Sequence, residues 1–335
     1  MTFKTVIQPS GHSFPIEENE TILEAALRHG YTLPYSCRDG VCGACKGKVL
    51  SGQVDYGNVQ ALSEEDKVAG YALFCSASPR SDLVIECREV SRVGDIPVKT
   101  LPCRVDRMER PADDVMVIKL KLPANERLQF LAGQYIDVLL KDQKPRSFSL
   151  ANAPHDDSLL ELHIRNIAGG VFTRHVFEEM KERDLLRFKG PLGTFFLRED
   201  SDKPILFVAS GTGFAPIKAI IEHALYVGIK RPMHFYWGGR KLADLYMMDK
   251  AKEWEAKGIK FTPVLSDPLP GDNWRGRTGF VHLAAMEDYA DLSGHEVYVC
   301  GAPVVVEAAH RDYTTQRGLP NESFFSDAFT FTPKT

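Results

Sequence analysis

The 335-residue sequence has no run of about eighteen apolar residues, so no membrane span is expected. Its start, MTFKTVIQPSGHSF, lacks the basic and then apolar stretch of a secretory signal, and together the two absences predict a cytoplasmic protein. A basic stripe is also missing, with 41 Lys and Arg against 45 Asp and Glu, so nucleic acid is not an expected partner. The hydrophobic content of 44% and charged content of 26% exclude a disordered chain.

The seven cysteines are unevenly placed, because four of them fall between positions 37 and 75. Their order is C-x4-C-x2-C, followed by 29 residues and then a fourth cysteine. This is the ligand spacing of a plant-type [2Fe–2S] cluster, in which one tight loop supplies three ligands. Zinc and free thiols are the alternatives, although a zinc ribbon would need a second C-x2-C pair. The predicted cluster ligands are Cys37, Cys42, Cys45 and Cys75.

The residues around these cysteines agree with a cluster-binding module. Strand-like runs over 3–7 and 13–16 precede a capping box, Thr21 to Glu24, that opens an amphipathic helix. Strand, strand, helix and cluster loop in this order resemble the plant-type ferredoxins. The resemblance implies a β-grasp ferredoxin domain over residues 1–93.

The formal charge is also concentrated in this part of the chain. Residues 1–95 hold 9 Lys and Arg against 13 Asp and Glu, so they carry the whole net charge of −4. The acidic side chains either guide a basic redox partner or only solvate the surface.

A polar stretch with one Gly and one Pro, residues 91–97, is the predicted linker to the next domain. Residues 98–198 contain closely spaced strand-like runs, which favour a small antiparallel barrel. The sequence Gly-Pro-Leu-Gly at 190–193 is expected to form the turn that ends this barrel.

Two motifs in this region, R-S-F-S at 146–149 and G-G-V-F-T at 169–173, resemble the flavin-binding barrel of the ferredoxin–NADP reductase family. That family has R-x-Y-S followed by G-x-x-S/T, so Phe148 departs from the usual tyrosine. The resemblance implies that Arg146 pairs with flavin phosphate, that Phe148 covers the isoalloxazine, and that Ser149 lies near flavin N5. A helix over 171–180 would offer its N–H groups to the pyrophosphate. The predicted flavin-binding residues are Arg146, Ser147, Phe148, Ser149, His163, Ile164, Arg165, Gly169, Gly170, Val171 and Thr173.

Residues 200–335 alternate between strand and helix patterns, which predicts a parallel α/β sheet. The strand over 205–209 is followed by G-T-G-F-A-P, the form that the ferredoxin–NADP reductases use for the nicotinamide dinucleotide. The alternative is an ordinary tight turn between strand and helix. No dense set of Arg, Lys and Ser follows Gly239, so NADH is favoured and NADPH is the second choice. The further predicted cofactor-binding residues are Gly211, Thr212, Gly213, Pro216, Gly238, Arg240, Gly301, Pro303 and Phe329.

Four of the later residues have competing interpretations. In the related reductases the cysteine of C-G-x-P lies against the nicotinamide, which implies a catalytic role for Cys300 beside that of Ser149; a buried cysteine at a strand end is the alternative. Arg240 either holds an adenosine phosphate or solvates a turn. The chain end reaches back to the flavin in this family, which implies positions for Asp327 and Phe329 near it, although core packing is the favoured explanation.

The whole chain resembles the iron–sulfur flavoprotein reductases with an N-terminal ferredoxin module. These include reductase components of phenol, benzoate and methane oxygenases and the CDP-6-deoxy-3,4-glucoseen reductases. The resemblance implies an NAD(P)H-dependent oxidoreductase that moves electrons through FAD and a [2Fe–2S] cluster to a partner protein, either an oxygenase component or a sugar-nucleotide dehydratase. A free-flavin or small-molecule reductase is one alternative function, and an iron–sulfur redox sensor is another.

Overall fold

The computed structural model describes residues 2–87, 96–140 and 145–330. The chain divides into two compact units, Met1–Pro97 with Gly193–Phe195, and Val98–Leu192 with Phe196–Thr335. Residues 91–95 of the predicted linker lie outside the described residues. The predicted domain boundaries, 1–93, 98–198 and 200–335, stay a prediction.

Unit 1 is built on a five-stranded sheet in the order β2-β1-β7-β3-β5, with β1 antiparallel to β2 and parallel to β7. Helix α1 buries its apolar side against this sheet, and the predicted capping box of Thr21 and Glu24 is present. The elements are β1 Thr2–Gln8, β2 Ser13–Glu17, α1 Ile22–Arg28, β3 Lys46–Ser51, β4 Val54–Asp55, α2 Glu64–Val68, β5 Tyr71–Leu73, β6 Ser78–Pro79 and β7 Leu83–Glu86. Strands β4 and β6 form a separate pair.

Unit 2 begins with a six-stranded antiparallel sheet in the order β11-β10-β13-β8-β9-β12. A bridge between Leu150 and Leu162 joins its two edge strands, as the predicted barrel requires. We call it the barrel sheet. Its elements are β8 Lys99–Ala112, β9 Val115–Lys121, β10 Tyr135–Leu139, β11 Pro145–Ser149, β12 Leu160–Arg165, α3 Val171–Glu178 and β13 Leu185–Leu192.

The turn predicted at 190–193 is wrong for its first three residues, which form the end of β13. Leu192 pairs with Tyr135 on β10, and Gly190 pairs with Lys99 on β8. A Cβ on Gly190 would come within 2.7 Å of the Ile136 side chain, so the glycine here permits close packing of strands rather than a turn.

The second sheet of unit 2, which we call the parallel sheet, has the order β17-β16-β15-β14-β18-β19, with every pairing parallel. After β14 the chain adds β15, β16 and β17 on one side of that strand, and it then returns to form β18 on the other side of β14. This arrangement confirms the predicted α/β class. Ligands of such sheets bind where this reversal occurs, at the strands' carboxyl ends. The elements are β14 Ile205–Ser210, α4 Phe214–Tyr226, β15 Met233–Gly239, α5 Met248–Glu255, β16 Lys260–Leu265, β17 Arg277–Thr278, α6 Val281–Asp288, β18 Glu296–Gly301, α7 Pro303–Gln316 and β19 Phe324–Ala328.

The described helices are short in comparison with a membrane-spanning helix. Helix α7, at 14 residues, is the longest of them. Within the described ranges, none has both the length and the apolar character that crossing a bilayer needs.

Candidate functional site

The four predicted cluster ligands lie in unit 1, three in the loop between α1 and β3 and the fourth just after β5. Cys42, Cys45 and Cys75 are buried, and Cys37 is half-buried. Gly40 within the loop has a φ of 72°, and a Cβ there would lie 2.9 Å from both the Asn58 carbonyl oxygen and Ser76 Oγ. The loop therefore keeps its path only with glycine at this position.

The four thiols form two hydrogen-bonded pairs. The bond from Cys42 lowers the pKa of the Cys37 thiol to about 6, and the bond from Cys45 lowers that of Cys75 to about 7. The pKa values of the donors Cys42 and Cys45 rise through the same bonds and through burial. Among the described residues, no group of three or more metal-ligating side chains surrounds a single point. Four cysteines in this spacing are the ligand set of a plant-type [2Fe–2S] cluster.

A second group of predicted residues meets in unit 2. Ser149, the last residue of β11, donates its hydroxyl to Asp327 Oδ2 at 3.1 Å, and both side chains are buried. Asp327 lies opposite Cys300 in the pairing of β18 with β19. Burial raises the pKa of the Cys300 thiol well above its usual range, and the nearby Asp327 carboxylate adds to the effect. The thiol is therefore neutral, and the carboxylate holds the serine hydroxyl in a fixed direction.

The glycine turn after β14 packs directly on the end of β18. A Cβ on Gly213 would overlap the carbonyl group of Cys300, and one on Gly301 would overlap Ser210. Gly301 also has a φ of 130°, which side chains rarely allow. These contacts lie at the point of chain reversal in the parallel sheet, and the glycines allow the ends of β14 and β18 to pack closely there.

The remaining predicted dinucleotide residues lie at the same edge. Gly238, the second-last residue of β15, lies against Val281, and the exposed Arg240 follows the strand. Pro303 begins α7 directly after β18, while Phe329 donates its N–H to the Gly301 carbonyl at 2.8 Å. Thr212 and Pro216 are buried at the start of α4.

The predicted flavin residues of β11 divide between its two faces. Phe148 is half-buried and tilts against Phe172 of α3, with 5.4 Å between ring centroids. Arg146 shares that face of the strand, because alternate residues point the same way. Ser147 lies on the other face and donates its hydroxyl to Asp137 Oδ1 at 2.6 Å.

Helix α3 begins where the sequence predicts it, directly after Gly170, and ends at Glu178 rather than at 180. Gly169 has a φ of 77°. No side chain in the described part of the chain caps this helix, since Thr173 bonds to the Gly170 carbonyl instead. The N–H groups of its first turn, next to the exposed Val171, suit a pyrophosphate.

The other predicted flavin residues, on β12, contact protein side chains. His163 Nδ1 lies 2.8 Å from the hydroxyl of Tyr246, and Arg165 donates to Asp244 Oδ1 at 3.0 Å. Ile164 is buried in the barrel core. Tyr246 and Asp244 lie in the connection between β15 and α5, and they were not among the residues predicted from the sequence. The alternation L-E-L-H-I-R and the lone lysine in A-P-I-K-A-I-I were the available signals.

Three family models match the chain in succession. They describe a 2Fe-2S iron-sulfur cluster binding domain over residues 5–80, an oxidoreductase FAD-binding domain over 102–197, and an oxidoreductase NAD-binding domain over 207–311. Their order is the order in which the sequence predicts the three cofactors.

Similar proteins cover nearly the whole chain. The CDP-6-deoxy-L-threo-D-glycero-4-hexulose-3-dehydrase reductase of Yersinia pseudotuberculosis is 42% identical over 333 residues, which is 98% of this chain and 99% of the relative. The phenol hydroxylase P5 protein of Acinetobacter pittii is 34% identical, with 98% and 96% covered. The crystal structure of the Amycolatopsis cytochrome P450 reductase GcoB is 34% identical, with a TM-score of 0.75 and 98% and 99% covered.

Proposed function

Because the chain belongs to the iron–sulfur flavoprotein reductases with an N-terminal ferredoxin domain, we propose that it is an NADH-dependent reductase that supplies a separate protein with electrons. The observation that carries this proposal is the meeting of Ser149 with Asp327 beside Cys300. It joins the predicted flavin strand to the predicted nicotinamide residue at the edge of the parallel sheet where dinucleotides bind.

A bound flavin takes two electrons from NADH as a hydride and can release them one at a time to an iron–sulfur cluster. The chain's own residues bind the cofactors and orient the reacting groups. The first turn of α3 and the glycine turn at Gly211–Gly213 hold phosphates through N–H groups. Asp327 accepts the hydrogen bond of the Ser149 hydroxyl and so fixes its direction, while the buried Cys300 thiol stays neutral.

The cluster in this proposal would be held by Cys37, Cys42, Cys45 and Cys75. Support comes from the two hydrogen-bonded thiol pairs and from the N–H of Asp39, which donates to Cys37 Sγ at 3.4 Å. Hydrogen bonds to a ligating sulfur stabilise its negative charge.

The electron acceptor proposed for this chain is a CDP-sugar dehydrase, with an oxygenase component as the second candidate. The relative named for such a dehydrase is 42% identical, whereas the relative named for phenol hydroxylase is 34% identical. NADH is proposed over NADPH, since two exposed cations, Arg240 and Lys241, follow β15 and no dense basic set comes after them. A cytoplasmic location is proposed, because reduced thiols such as Cys103 and Cys300 persist in that compartment.

The test is the replacement Cys42→Ser in protein reconstituted with FAD and cluster. NADH should still reduce the flavin at the wild-type rate, while NADH-driven reduction of cytochrome c should fall at least about 100-fold, because the one-electron route is broken. Cys87→Ser, outside the quartet, is the matched control and should reduce cytochrome c normally.

Other outcomes favour the alternative functions. Unchanged cytochrome c reduction in Cys42→Ser would favour a free-flavin or small-molecule reductase. A wild-type protein that binds all cofactors but completes only a single turnover with NADH would favour a redox sensor.

A further inference from the structure

Strand β12 has two faces of opposite character. Leu160, Leu162 and Ile164 are buried in the core of the barrel sheet, as alternate residues of a strand should be. The other face carries Glu161, His163 and Arg165, which we call the β12 polar face. Two of these three side chains are buried, so water does not satisfy them.

Glu161 is paired with a lysine of helix α4. Lys218 on α4 is 7% exposed, and its Nζ lies 3.2 Å from Glu161 Oε1 and 3.0 Å from Glu222 Oε2. The same Nζ donates to the Ala151 carbonyl at 3.0 Å. Ala151 is two residues after Ser149, so Lys218 holds the segment that places the proposed flavin N5 neighbour.

Arg165 connects β12 to the turn after β15. Its Nη2 donates to Asp244 Oδ1 at 3.0 Å, and its Nε donates to Asp114 Oδ2 at 2.7 Å. Asp244 Oδ2 in turn accepts the backbone N–H groups of Arg240 at 2.8 Å and Lys241 at 3.2 Å. The backbone of this proposed dinucleotide-binding turn is therefore tied to the barrel sheet through a single carboxylate.

His163 lies between these two connections. Its Nδ1 is 2.8 Å from the Tyr246 hydroxyl, and its Nε2 is 2.9 Å from Glu161 Oε1. The imidazole stacks on Phe214, and Tyr246 meets the ring of Trp237 edge-on. The rotamers of the histidine and the tyrosine are thus set by packing as well as by hydrogen bonds.

We propose that the β12 polar face, with Lys218, Tyr246 and Asp244, is an alignment latch that fixes the parallel sheet on the barrel sheet. In this proposal Lys218 is a positioning residue for hydride transfer, and Asp244 is a positioning residue for dinucleotide binding. An apolar contact of the same size would hold two sheets together as well, but ion pairs of fixed geometry also specify their register. The catalytic consequence rests on the proposed function, whereas the structural latch does not.

The test compares two lysines that pair with the same carboxylate. Lys218→Met removes the partner from α4, and Lys119→Met removes a partner from β9 of the barrel sheet itself, whose Nζ lies 3.6 Å from Glu161 Oε2. In stopped-flow measurements at saturating NADH, Lys218→Met should reduce the flavin about 10- to 100-fold more slowly, because small misplacements of the reactants are costly. Lys119→Met should keep the wild-type rate.

A second variant separates affinity from rate. Asp244→Asn should raise the dissociation constant for NADH about tenfold and leave the limiting rate of flavin reduction near that of the wild type. The latch would be overturned by equal rates of flavin reduction in Lys218→Met and Lys119→Met. It would also be overturned if the affinity for NADH and the rate changed in parallel in all variants. Flavin and cluster absorbance report folding, and Tyr246→Phe, which loses one hydroxyl, replaces Lys218→Met if that variant lacks flavin.

Hydrogen–deuterium exchange supplies a readout that needs no turnover. Lys218→Met should speed exchange in β12 and α4, whereas Lys119→Met should not. If NADH fails to reduce the wild-type flavin, the proposed function fails, and the exchange result still decides the latch: faster exchange confined to Lys218→Met supports it, and equal exchange overturns it.

Discussion

The cluster site of unit 1 and the Ser149–Asp327 site of unit 2 are built in different ways. Three of the four cluster cysteines lie within one nine-residue loop, 37–45, so the loop's own backbone sets their geometry. Ser149 and Asp327 are 178 residues apart and meet only because two sheets pack together. A site made by one loop should tolerate distant changes, whereas an assembled site should respond to any change in the strand ends that compose it.

The largest expected effect is on the assembled site, through Gly213→Ala. The φ of Gly213 is an ordinary −56°, so alanine strains no torsion, but its Cβ would overlap the Cys300 carbonyl. The two strand ends must separate, and the rate of flavin reduction by NADH should fall about 100-fold or more in stopped-flow measurements. Cluster absorbance should stay at the wild-type level, because unit 1 is unchanged.

Gly271→Ala is the matched control for this substitution. No described atom lies within 4 Å of the position a Cβ would take at Gly271, so this variant should reduce its flavin at the wild-type rate. A wild-type rate of flavin reduction in Gly213→Ala would show that separation of the strand ends does not affect the Ser149–Asp327 site. That result would contradict the proposed difference between this site and the cluster site.

The same distinction explains what the sequence could predict. The cysteine spacing, the Thr21–Glu24 capping box and the glycine turn after β14 are local patterns, and each lies where the sequence places it. The fold class is confirmed, since hydrophobic alternation and strand–helix rhythm are also local. The roles of the individual site residues stay predictions.

Partners that depend on sheet packing could not be predicted in this way. That His163 and Arg165 bind the flavin stays a prediction, and the structure shows protein partners for them that the sequence did not indicate, Tyr246 and Asp244, more than seventy-five residues away. Lys218 was missed because a charge within an apolar helix does not reveal its partner. Gly190 was assigned to a turn because composition does not distinguish a glycine in a bend from one under a packed side chain.

An intermediate effect is expected from acid, and it should fall on unit 2. Burial, with help from the charge of Lys260, lowers the pKa of His234 to about 3. The unfolded chain binds this proton near pH 6.5, so the stability is full above about pH 6.5 and is lost as pH falls toward 3. Between pH 7 and 5 the loss from His234 should be about 2 kcal/mol.

Guanidinium unfolding followed by flavin fluorescence at pH 7, 6 and 5 measures this loss. His234→Gln should flatten the pH dependence, since glutamine can still bond to Tyr289 and Thr262 but does not titrate. His155→Gln, at an exposed position, should keep the wild-type slope. A slope unchanged in His234→Gln would assign the acid sensitivity to other groups.

The smallest expected effect tests whether the cluster site depends on helix α1, which precedes its cysteine loop. In the capping box, Glu24 N–H donates to Thr21 Oγ1 at 3.2 Å, and Thr21 N–H donates to Glu24 Oε2 at 3.1 Å. Thr21→Ala should destabilise unit 1 by about 1 kcal/mol, measured as an earlier loss of the visible circular dichroism of the cluster in guanidinium. Thr21→Ser should restore it. Because the capping hydrogen bonds join Thr21 and Glu24 to each other, cluster content and the rate of flavin reduction should not change. A variant that fails to hold its cluster would show that α1 itself shapes the cysteine loop.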